Sequence, residues 1–149
     1  MNQHSITVQI ACTWPNIPQE VQLINWAEHA LSETQANQEM TIRIVSIAEI
    51  QQLNHHYRQQ DKPTNVLAFR ADIPAELNGQ LLGDVVICAE IVDQQAQQQN
   101  KLLDAHWAHM VIHGTLHLLG YDHIDALDAD KMEAREITLL NTLGYHSPY

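Results

Sequence analysis

Basic residues are scarce in this sequence: seven Lys and Arg stand against eighteen Asp and Glu in 149 residues, a formal net charge of −11. Such a balance repels polyanions at long range and favours solubility, so on this count nucleic acid is a surprising partner. Cysteine is scarce too. Cys12 and Cys88 lie far apart and form no C-x-x-C pair, so neither a disulfide framework nor a cysteine zinc cluster is suggested, and both read as small core side chains. No apolar run reaches the roughly 18 residues of a membrane span, and no basic start leads into an apolar segment of signal-peptide type. The expectation is a soluble cytoplasmic protein with no membrane partner. No linker, internal repeat or break in composition divides residues 1–149, a length suited to one domain.

The pattern that is present predicts strands and helices in alternation. "SITVQIA" (5–11) alternates and is β-branched, as is "MTIRIVSI" (40–47). Between them, Val21, Ile24, Ala27, Ala30 and Leu31 recur at helical intervals behind Pro18 over 18–36. Ser46 with Glu49 forms a capping-box pattern that opens a helix running to about Tyr57. "TNVLAFR" and "GDVVICAE" are two further strands, separated by a Pro- and Gly-containing connection over 71–82. From Ile91 the pattern is helical, with a break at Gly120 and a stop at Gly144; the glutamine-rich "DQQAQQQN" (93–100) reads as a solvated helix or a helix junction. The expected fold is α+β: a mixed sheet of about four strands packed with helices, with a metal-binding helix in the C-terminal third.

That helix carries the chemistry. "HMVIHGTLHLLGYDH" (109–123) places His113 and His117 four residues apart, on one helical face, at a spacing that can chelate one metal ion. Gly120 can take the left-handed conformation that reverses the chain, which would fold Tyr121, Asp122 and His123 back toward that face. The spacing matches the metzincin pattern H-E-x-x-H-x-x-G-x-x-H, except that Gly114 stands where those peptidases carry their catalytic glutamate. A three-histidine site without the peptidase base is expected. His109 reads as a neighbour rather than a ligand, and His4, His29, His55, His56, His106 and His146 as surface or packing residues.

The same segment resembles the H-G-x-L-H-L-x-G-Y-D-H signature of the YbeY family, bacterial single-strand-specific endoribonucleases and ribosomal RNA maturation factors. "LNHHYRQQDKPTNVLAF" (53–69) and "LLGDVVI" (81–87) resemble two more of its motifs, in the same order. The resemblance implies that His113, His117 and His123 bind one zinc ion, and that Arg58 and His113 serve cleavage of single-stranded RNA. It further implies a role in 16S ribosomal RNA 3′-end processing and ribosome quality control, with the small ribosomal subunit and its proteins as partners; DNA is not expected. Another divalent ion such as nickel would suit three imidazoles nearly as well.

In chemical terms, the metal would acidify a water or polarise a phosphate oxygen, and the planar Arg58 guanidinium would hold the phosphate as charge builds on it. For the proton acceptor, zinc-hydroxide, Asp122, His109 and the RNA 2′-hydroxyl all remain open. Two residues depart from the family pattern: Asn65 where Asp is usual, and Ala68 where Ser is usual. Arg58, Lys62 and Arg70 cluster in sequence and could form a basic rim on the acidic body. Two other classes remain: a non-catalytic zinc-containing ribosome assembly factor, and a metallopeptidase drawing its base from Glu133 or Glu136. Beside Lys131 and Arg135, those two glutamates read instead as a solvated helix face.

Overall fold

The computed structural model describes residues 4–71, 80–122 and 124–149. In it β1 (Ser5–Ile10) and β2 (Glu39–Val45) are parallel neighbours joined through α1 (Glu20–Ala30). There follow α2 (Ile47–Arg58), β3 (Val66–Arg70), β4 (Leu81–Cys88), α3 (Ala89–Gln98), α4 (Leu103–Leu118) and α5 (Ala126–Thr142). The sheet has the order β1-β2-β4-β3, with β4 parallel to β2 and antiparallel to β3. The expected four-stranded mixed sheet of an α+β fold is therefore present.

The period of two along the strands sorts the core into two layers. On one face Met40, Ile42, Ile44, Val85 and Ile87 meet α1 and α4 in the main core; on the other, Val45, Val86 and Cys88 meet Ile50 of α2. Cys88 is buried and Cys12 half-buried, and both are free thiols, as their isolation in sequence suggests. Ser46 caps α2 by accepting a hydrogen bond from the Glu49 N–H at 3.2 Å. The glutamine-rich segment forms the second half of α3, with Asp93 and Ala96 buried and Gln94 and Gln97 exposed.

The α1 expectation needs correction. Val21 is 57% exposed, and the buried stripe is Leu23, Trp26, Ala27 and Ala30, a complete i, i+3, i+4, i+7 series that the residues counted from Val21 only partly share. The helix also ends at Ala30, well before residue 36.

α4 is buried on nearly every side, packing against α1, α3, α5, β3 and β4, which is where a helix apolar all round belongs. Its approach to the sheet is closest at Gly114, where an added Cβ would lie 2.5 Å from Val85 Cγ1. This explains why no glutamate follows His113: the position faces β4 and has no room for a side chain. Nearer the start of α4, buried His106 donates Nε2–H to Gln95 Oε1 at 2.9 Å. Burial, reinforced by the charges of Lys101 and His109, holds the His106 pKa down to about 4.

Two outcomes follow. Gly114→Ala is expected to destabilise the fold by about 1–3 kcal/mol through overpacking against Val85, despite alanine's better helix propensity, as measured by urea denaturation; an equal or higher midpoint would contradict the packing. His106 stays neutral when folded but takes a proton near pH 6.5 when unfolded, so its stabilisation is complete above about pH 6.5 and is lost as the pH falls toward 4. Denaturation midpoints of His106→Asn should therefore vary less with pH across that window than those of the parent chain.

Candidate active site

The C-terminus of α4 is closed by a double hydrogen-bonded reversal. Gly120 has φ 105°, the Tyr121 N–H donates to the Leu116 carbonyl at 3.0 Å, and the Gly120 N–H to the His117 carbonyl at 3.1 Å. The reversal brings the Tyr121 carbonyl beneath His117, whose Nδ1–H donates to it at 3.0 Å. A carbonyl only accepts, so Nδ1 carries a proton, and in the neutral ring the lone pair is then on Nε2. Tyr121 and Asp122 thus fold back as the glycine suggests. His123, the third metal ligand expected from sequence, lies outside the described residues.

One turn earlier on α4, His113 donates its Nδ1–H to Glu136 Oε1 at 2.6 Å. The other carboxylate oxygen, Oε2, accepts from His109 Nε2–H at 2.8 Å and from the Tyr149 hydroxyl. Glu136 is fully buried, at 0% exposure. Burial alone would push its carboxyl up; the hydrogen bonds from His109, His113 and Tyr149 outweigh that and hold it well below the usual carboxylate range. Tyr149 is pushed up in turn, by burial and by the carboxylate it donates to. The His113 and His117 rings stand 4.7 Å apart at 80°, and the ligand atoms of His109, His113 and Glu136 lie within 4.8 Å of one another, close enough to hold a metal ion.

The solvated-face reading of Glu136 is overturned. Met132, Glu136 and Leu140 are all buried, so the glutamate lies in the apolar stripe of α5. That i, i+4, i+8 spacing was the available signal: a glutamate flanked by core positions on its own face needs buried donors. Tyr149 had no comparable signal, because only the tertiary fold brings the chain end to α5.

The two cleft histidines face a cation from the other half of the chain. A cleft of about 970 Å³ is lined by Arg58, Arg70, His113, His117, Tyr121 and Asp122, with β3 along one wall. Arg58 is the last residue of α2, which stops because Gln59 adopts φ 56°. Its Nη2–H donates to the Ala68 carbonyl at 2.7 Å, and its guanidinium lies 5.2 Å from the ring centroid of Phe69, the only phenylalanine in the chain. Arg58 and Arg70 thus join the two histidines, whereas Lys62 is exposed and lies outside the described lining of the cleft.

A family model described as Endoribonuclease YbeY matches residues 9–144. The chain belongs to the YbeY family. The Endoribonuclease YbeY of Colwellia psychrerythraea (strain 34H) is 50% identical over 150 residues, spanning 98% of this chain and 97% of the relative. A solution structure of a Thermotoga maritima protein shares the fold with a TM-score of 0.64 at 26% identity, covering 91% of this chain and 87% of that one.

Within this YbeY chain the two residues noted as departures from the family pattern sit in defined surroundings. Asn65 donates Nδ2–H to Gln95 Oε1 at 3.1 Å while its Oδ1 accepts from the Val66 N–H at 2.7 Å, and an aspartate could supply only the second bond. Ala68 meets Arg58 through its backbone carbonyl, so a missing hydroxyl does not affect that contact.

Because Glu136 fixes the tautomer of His113, Glu136→Gln is expected to weaken divalent-metal binding about 10–100-fold, read by competition with a chromogenic chelator. Tyr149→Phe should weaken it less, since two of the three donors to the carboxylate remain. Unchanged affinity in Glu136→Gln would separate the carboxylate from metal binding.

Proposed function

We propose that this chain is a zinc-dependent endoribonuclease specific for single-stranded RNA. In this reading it matures the 3′ end of small-subunit ribosomal RNA and serves ribosome quality control in the cytoplasm, with the small subunit and its proteins as partners. One observation carries the reading: Arg58, His113 and His117 line the same cleft, and both imidazoles are tethered through Nδ1. Membership of an endoribonuclease family supports RNA as the substrate.

His113, His117 and His123 are the residues assigned to the ion, His123 on its spacing behind Gly120. The donor chemistry of the first two fits, because zinc-bound histidines commonly give their other N–H to a carboxylate or a backbone carbonyl. His109 and Glu136 are assigned to support, since both Glu136 oxygens already accept hydrogen bonds. When bound, a zinc ion in a three-imidazole site supplies Lewis acidity and lowers the pKa of water.

The remaining roles fall to side chains lining the cleft. Arg58 spends one N–H on the Ala68 carbonyl, which fixes the guanidinium plane and leaves its other donors to grip phosphate oxygens as charge accumulates. Asp122 is the only carboxylate among the described lining residues and is assigned the proton-accepting role. His109 is buried behind His113 and is absent from that lining, so it positions rather than exchanges protons with substrate. Neither glutamate considered for the peptidase reading is among the described lining of the cleft: Glu136 is buried with both oxygens accepting hydrogen bonds, Glu133 is not part of that lining, and Gly114 has no room for a side chain.

The test is cleavage of an end-labelled single-stranded RNA by the zinc-loaded protein. Arg58→Ala is expected to lose about 10²–10³-fold in rate while remaining folded and metal-bound, and His113→Ala to lose both metal and activity. Cleavage by the parent chain should fall between low and moderate salt with the shallow slope that phosphate contacts from Arg58 and Arg70 alone allow. Parent and both variants cutting at the same background rate would leave the non-catalytic assembly factor as the surviving reading.

A further inference from the structure

We propose that Tyr57 forms a base-stacking subsite that holds an unpaired base of the RNA beside the phosphate gripped by Arg58. The inference rests on the RNA-cleaving reading above and deepens it, because it assigns the preference for single strands to a particular ring.

Tyr57 immediately precedes Arg58 in the last turn of α2 and is 55% exposed. Its ring makes edge contacts with Phe69 (centroids 5.2 Å apart, 61°) and His56 (4.5 Å, 88°), so its orientation is held while much of its surface stays open. Tyr57 and Phe69 line the active cleft and also an adjoining groove of about 410 Å³ that includes Gln9, Thr41, Arg43 and Asp84. The ring therefore stands on the divide that a strand leaving the cleft would cross.

Chemistry favours stacking there over phosphate contacts. The groove's arginine, Arg43, is committed to Glu49 through two hydrogen bonds of 2.7 and 3.1 Å. A body of net charge −11 offers little counterion-release affinity, whereas an aromatic face attracts any base without regard to charge. A base in a duplex is already stacked on its neighbours; an unpaired base has a face to offer. The same ring thus provides affinity and selects single strands.

Binding of a labelled 2′-O-methyl single-stranded oligonucleotide to the zinc-loaded protein, read by anisotropy, tests the subsite independently of cleavage. Tyr57→Ala is expected to weaken binding on the order of 10-fold, with Tyr57→Phe close to the parent chain. The slope of log affinity against log salt should stay unchanged in Tyr57→Ala but become shallower by about one in Arg58→Ala. Replacing bases one at a time by abasic sites should reveal one position whose loss weakens the parent chain and has no further effect on Tyr57→Ala. Parent-like binding by a folded Tyr57→Ala, or abasic penalties equally large in both proteins at every position, would overturn the subsite. Failure of the parent chain to cut unmodified RNA would instead refute the nuclease reading.

Discussion

The buried carboxylate of Glu136 is the constraint around which the site is organised. An isolated carboxylate in a protein interior costs several kcal/mol, and removing the partners of a buried charge is correspondingly destabilising. Here two donors come from α4, His109 and His113, and a third from Tyr149 near the chain end. Sliding α5 along α4 by a single residue would move the carboxylate about 1.5 Å and break at least one of these bonds. The interaction that sets the register of two helices is therefore the one that fixes the proton of His113.

Two different devices fix the two described cleft histidines. His113 is oriented by a charged side chain from another helix, and His117 by a backbone carbonyl that a glycine reversal turns beneath it. Both put a proton on Nδ1, so that in the neutral ring the lone pair is on Nε2. The sheet contributes from the opposite side, because α4 can lie this close to β4 only with glycine at position 114. The tight contact that brings the histidines to the sheet also removes the place where a peptidase glutamate would stand, so one packing requirement both positions the imidazoles and narrows their chemistry.

Electrostatics differ between the body and the cleft. The chain is strongly acidic, yet the described cleft lining holds Arg58 and Arg70 against the single carboxylate of Asp122. Long-range attraction of a polyanion is weak under such a distribution, and the positive charge available at short range is concentrated in the cleft. Phe69 serves this arrangement twice, lying beneath the Arg58 guanidinium and beside the Tyr57 ring.

Much of the architecture was legible because its signals are local. Alternation marked the strands, Ser46 marked the start of α2, and Gly120 marked the reversal after α4, each readable within a few residues. Val21 misled because a helical count can begin at more than one apolar residue, and only packing shows which face is covered. Glu136 misled for a related reason: beside Lys131 and Arg135 it looks solvated, while its neighbours one turn away, Met132 and Leu140, are core. The sequence by itself determined the histidine spacing, the reversing glycine and the family, since these are properties of short segments. Only the tertiary structure decided that Arg58 meets His113 and His117 in one cleft, that Glu136 and Tyr149 stand behind His113, and that Gly114 is needed against Val85. Those pairings join residues distant along the chain, and which distant groups meet is set by how the helices seat on the sheet.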